Sequence, residues 1–172
     1  ATPMGARKLR SWLLYPLKDD KEINSRLDGV EELSKDPVLR QRLLSALNDI
    51  RDIERLSSRI AGGSANARDL VSLKESLLKL PEIKKLLSTC SSSLLRKASE
   101  ISDMSAVLTL ISAAITDDPP FTIKEGGMIK KGYSAELDEI KEASTNGKKW
   151  ISALEESERQ RTGIKSLKVG FT

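Results

Sequence analysis

Apolar residues in this chain recur three and four positions apart in short runs, and nearly every run is cut off by a capping residue, a proline or a glycine pair. That punctuation restricts the chain to a succession of short helices. Thr2-Pro3 pairs an N-cap with a proline at the first helical position, Leu9, Trp12 and Leu13 share a face, and Pro16 closes the segment. Asp19 or Asp20 caps the next run, Ile23, Leu27, Val30 and Leu33. Asp36-Pro37 repeats the cap-plus-proline signal before Leu39, Leu43, Leu44 and Leu47. Asp49 is read as opening a helix with Ile53, Leu56 and Ile60, which Gly62-Gly63 stops. Asn66 and Asp69 form a capping pair before Leu70, Leu73 and Leu77, and Pro81 starts a helix bearing Ile83, Leu86 and Leu87. The serines before Leu94 and Asp103 before Val107 and Ile111 mark two more.

The pattern changes after Asp117-Asp118-Pro119-Pro120. Phe121-Thr122-Ile123 and Met128-Ile129 flank Lys-Glu-Gly-Gly, and two β-prone pieces around Gly126-Gly127 predict a small hairpin near residues 121–130. Ser134 then caps a helix running to about Gln160, with Thr162-Gly163 as its stop. Such a helix is about 40 Å long. Leu137, Ser144 and Ile151 recur every seven residues, as do Ile140, Gly147 and Leu154, giving a seam that is apolar at its ends and small in its middle. A small midpoint suits close packing against another helix. Leucine is abundant and aromatics make up only 3% of the chain, which favours helix over sheet. The predicted fold is all-α: an irregular multi-helix core with one hairpin over residues 1–133, a long C-terminal helix over 134–161, and the start of a strand over 162–172. The opening Ala-Thr-Pro without an initiator methionine and the alternating Lys-Val-Gly-Phe-Thr at the end read as a segment of a longer protein.

Composition removes several chemistries. The chain has no histidine, so it can hold no histidine base, no Ser-His-Asp triad and no histidine-ligated metal. Cys90 is the single cysteine: it can close no intrachain disulfide, and without a histidine partner it is read as structural. No run approaches the length of a membrane span. Net charge is +4. Residues 1–80 carry 15 basic and 12 acidic groups and residues 81–172 carry 14 and 13, so the surplus is spread along the chain as on a solvated mixed-charge surface.

The glycine pairs lie in neither a P-loop nor a dinucleotide-binding pattern and read as a turn and a helix stop. Asp117-Asp118 and Glu155-Glu156 lack a second acidic group at a spacing that would hold Mg²⁺. Two basic groups remain. Arg7, Lys8 and Arg10 accompany Trp12, and Arg159, Arg161, Lys165 and Lys168 lie where the long helix passes into the final segment. The second group is the candidate for DNA-phosphate contact. The competing reading is a solvated helix end where cations complement the dipole.

Three stretches carry a resemblance that covers the whole chain in order. TPMGARKLRSWLLYPL, DDPPFTIKEGGMIKKGYSAELDEIK and ESERQRTGIKSLKVGFT resemble the bacterial MutS family of DNA mismatch-repair proteins, and DIERLSSRIAGGSANARDLVSLKESL resembles the same family between them. Ala67 stands where that family often has proline. The resemblance implies the first part of a helical core or lever domain, ending where a DNA clamp begins. It implies a non-catalytic segment without cofactor of its own, coupling an ATPase domain to the clamp in a protein that uses ATP and Mg²⁺ elsewhere. The implied partners are mismatched double-stranded DNA, a second copy in a homodimer and other repair proteins, with no membrane. The implied location is the cytoplasm, at the nucleoid. A helical adaptor that binds only proteins is the alternative; salt-dependent binding to duplex DNA separates the two.

Overall fold

The computed structural model describes residues 2–168. They fall into two compact units that divide between Ile129 and Lys130. The first holds eight helices among its described residues: α1 (Pro3–Leu14), α2 (Asp20–Lys35), α3 (Pro37–Asn48), α4 (Ile53–Ala61), α5 (Ala67–Leu78), α6 (Leu80–Ser88), α7 (Ser93–Ala98) and α8 (Ser105–Ala114). The second is built on α9 (Ala135–Thr162).

Side chains set most of the helix starts. Thr2 accepts from Gly5 N at 3.0 Å, Asp19 from Lys21 N at 2.7 Å and Asp36 from Leu39 N at 2.8 Å. Asn66 and Asp69 exchange backbone and side-chain bonds in a complete capping box. One start differs from the sequence reading: Asp52, not Asp49, caps α4, and Asp49 closes α3.

Unit 1 has two hydrophobic clusters. One gathers Leu56 of α4, Val71, Leu73 and Leu77 of α5, and Ile111 and Ile115 at α8. The other gathers Leu43 and Ala46 of α3, Ile83 and Leu87 of α6, with Ile50 and Cys90. Ile53 and Leu80 pack against both. A third contact joins α2 to α7, where Gly29 sits against Leu94 and Leu95 and the Glu32 carboxylate accepts from Ser91 N and Ser92 N at 2.6 and 2.8 Å. Those two backbone donors hold the Glu32 carboxyl below its usual range.

Ser76 is fully buried in the last turn of α5. Its hydroxyl donates to Ser72 O at 2.8 Å and accepts from Arg51 N at 3.0 Å, which fixes the loop before α4. Ser76→Ala leaves the Arg51 amide without this partner; the expected loss is about 1–3 kcal/mol, read by urea denaturation. A change below a few tenths would mean that water replaces the hydroxyl.

The expected hairpin is absent. Among the described residues there is no strand pair, only an isolated antiparallel bridge between Ile115 and Ile129. Ile123–Glu125 forms a 3-10 turn, because Glu125 accepts from both Thr122 N and Thr122 Oγ at 2.9 and 2.8 Å. Gly126 has φ 70° and ψ −173°, an extended glycine conformation that does not fit the tight two-residue hairpin turn. Ile129 therefore meets the end of α8 rather than the 121–123 segment, and Thr116 N donates to Met128 O at 3.0 Å.

In unit 2, Ser134 accepts from Leu137 N at 3.3 Å and α9 runs unbroken for 28 residues to Gly163, whose left-handed φ of 73° suits glycine. At 1.5 Å per residue the helix is about 42 Å long. It buries no residue: Ile140 and Trp150 are exposed, and a methyl group added at Gly147 would meet nothing within 4 Å. The close neighbour expected at its midpoint is not supplied by the described residues.

Candidate nucleic-acid interface

The four basic residues singled out by sequence gather at the C-terminal end of α9. Gly163 N donates to Arg159 O at 2.9 Å and ends the helix. The chain then turns: Leu167 N donates to Ile164 O at 3.2 Å, and Arg159 Nε donates to Leu167 O at 2.9 Å. The anticipated extended segment therefore begins as a turn over 164–167; its remainder, 169–172, lies outside the described residues.

Two of the four cations already have carboxylate partners. Arg159 pairs with Glu155 one turn earlier and is about one-third exposed. Arg161 pairs with Glu158 at 2.7 Å. That hydrogen-bonded pair raises the Arg161 pKa and lowers that of Glu158, so both stay charged. Lys165 and Lys168 are exposed and form no ion pair among the described residues. The end of α9 thus offers two open ammonium groups beside two guanidiniums held in place by glutamates. Cations here also complement the negative end of the helix dipole.

The first basic group is not a single surface. Arg7 reaches α4, donating from both terminal nitrogens to Asp52 at 2.7 and 2.8 Å and also bonding Glu54. That fork drives the Asp52 carboxyl down to about 2. Lys8 and Arg10 are exposed, while Trp12 lies under the Arg26 guanidinium at 3.8 Å.

The other candidates resolve into structural roles. Asp117 accepts from Lys74 at 2.7 Å and Asp118 lies 3.5 Å from Arg68, so the first acidic pair fastens the loop after α8 to α5. Glu155 holds Arg159, and Glu156 accepts from Gln160 at 3.2 Å. Cys90 is buried, and burial pushes its thiol pKa up, opposite to what an activated nucleophile needs. Among the described residues no group of three or more His, Cys, Asp or Glu is placed to hold a metal ion, and no helix is long and apolar enough to cross a membrane.

A family model described as MutS domain III matches residues 1–166. The chain is 49% identical over 175 aligned positions to a protein of Methanosarcina barkeri named DNA mismatch repair protein MutS, covering 99% of this chain and 19% of the relative. Relatives of the same name from Halothermothrix orenii and Staphylococcus aureus are 48% and 43% identical, again over 99% of this chain. The chain spans about a fifth of the length of these relatives. The match to the domain model covers both units and agrees with the motifs at the start, the middle and the end of the sequence: the chain belongs to the MutS domain III family.

Proposed function

We propose that this chain is the non-catalytic core and lever segment of a DNA mismatch-recognition ATPase, and that α9 couples nucleotide state to the grip on DNA. The observation that carries the reading is the unbroken 28-residue α9, capped at both ends. A helix of that length moves as a stiff body, so a displacement at one end reaches the other. In this reading ATP and Mg²⁺ act in another part of the protein. Its partners are mismatched duplex DNA, a second copy of the protein and further repair proteins, and it works in the cytoplasm at the nucleoid. Lys165 and Lys168 meet DNA phosphates directly; Arg159 and Arg161 reinforce them with charges oriented by Glu155 and Glu158. The names of the relatives support a place in mismatch repair.

The test is an insertion of two alanines after Gly147 in the full-length protein. It rotates one end of α9 against the other by about 200° and lengthens it by about 3 Å while leaving it helical. Mismatch binding is expected to persist while ATP-dependent release is lost, measured by dissociation from labelled mismatched duplex. Release at the unaltered rate would end the lever reading.

A further inference from the structure

A groove beside α4 is lined by three arginines and no lysine. Arg51 precedes the helix, and Arg55 and Arg59 lie one turn apart on it; with Pro3, Ser58 and Ser72 they border a cavity of about 710 Å³. The acids in this groove are already engaged. Asp52 takes both terminal nitrogens of Arg7 and the backbone N–H of Arg55. Asp69 takes Arg59 at 2.8 Å and the backbone N–H of Asn66 at 3.1 Å. The Arg55 side chain is 75% exposed, with its Nε 3.6 Å from Asp52, beyond hydrogen-bonding distance. The Arg51 side chain forms no hydrogen bond or ion pair among the described residues; Asp49, which feels its charge, is bonded to Lys79 at 2.7 Å. Two guanidinium forks therefore keep most of their donors at the mouth of a concave surface.

We propose that this groove is a docking site for an acidic segment of a protein partner, with Arg51 and Arg55 receiving its carboxylates. Guanidinium forks match planar carboxylates two donors at a time, a geometry that lysine does not offer. Charge complementarity favours discrete carboxylates over the rim of a duplex. Glu54, bonded to Arg7, joins Asp52 and Asp69 as fixed acids among the arginines, so the open donors are separate points that suit the discrete carboxylates of a peptide rather than the continuous charge of a duplex. Neither Arg51 nor Arg55 belongs to either hydrophobic cluster, so both side chains can be exchanged without emptying the core.

The test uses the 172-residue chain and a fluorescent glutamate-rich helical peptide of about twelve residues, followed by anisotropy at low and physiological salt. The wild-type chain is expected to bind the peptide in a salt-sensitive manner, with shifts in the side-chain Nε resonances of Arg51 and Arg55. The R51Q/R55Q double variant is expected to lose about tenfold in affinity, or about 1.4 kcal/mol, with an unchanged circular dichroism spectrum. K148Q/K149Q, on α9, is expected to bind as wild type. Absence of peptide binding, equal binding by R51Q/R55Q, or a groove that instead takes duplex DNA in competition with the peptide would each overturn the proposal.

Discussion

Leu56→Ala is expected to lower the unfolding free energy of residues 1–129 by about 2–5 kcal/mol. Leu56 is only 4% exposed and is the one buried residue that α4 contributes to the cluster with α5 and α8. Truncation removes the transfer energy of its methyl groups and leaves a space that Val71, Leu73 and Ile111 cannot fill without moving their helices. Domains of this size are stable by about 5–15 kcal/mol in total, so the change is a large share of the whole. Urea denaturation followed by circular dichroism measures it. Leu13→Ala is the matched control: Leu13 is 75% exposed, and its truncation is expected to change stability by less than about 0.5 kcal/mol. Equal costs at the two leucines would contradict the packing described above.

Ser144→Pro is expected to break α9 at a cost of about 3 kcal/mol or more. Proline there removes a helical N–H and presses its ring against the carbonyl of Ile140. No buried residue of α9 anchors the two halves on either side of the break, so both are expected to fray. Hydrogen exchange along 135–162 reads the effect directly, as a loss of protection centred on residue 144. Gly147→Ala supplies the opposite sign. With nothing within 4 Å of the added methyl group, alanine is expected to strengthen the helix by about 0.5–1 kcal/mol. A destabilising Gly147→Ala would mean that another helix lies against the midpoint of α9.

The helix boundaries were legible because capping is local chemistry. Thr2-Pro3, Asp36-Pro37, Asn66 with Asp69, and Ser134 announce their helices within four residues, and each makes the backbone bond its type implies. Asp49 misled because Asp52 lies three residues further on and both are capping types; the Arg7 fork and the Arg55 N–H make Asp52 the one in place. The hairpin failed for a similar reason. Two β-prone pieces and a glycine pair describe a turn, but Glu125 closes a shorter one on Thr122 first.

Periodicity found apolar faces without revealing what covers them. Leu9 and Leu13 of α1, and Leu27 and Val30 of α2, have helical spacing yet remain more than half exposed, while Gly29 is buried against α7. The four cations at the end of α9 were visible as a basic group, but their glutamate partners turn two of them into fixed charges. The sequence alone does not set the arginines beside α4 apart, because Arg51 and Arg55 alternate with Asp49, Asp52 and Glu54. Only the geometry shows that Asp52 and Asp69 are engaged by other donors; the spacing of Arg51, Arg55 and Arg59 by four was the available signal.

Ile53 and Leu80 each touch both hydrophobic clusters of the first unit. They act as a common wall between two chambers, so neither chamber can be emptied without withdrawing support from its neighbour. Cooperative melting is the expected consequence: the amides of Ile83 and Ile111, which belong to different clusters, are expected to exchange with solvent through the same global opening.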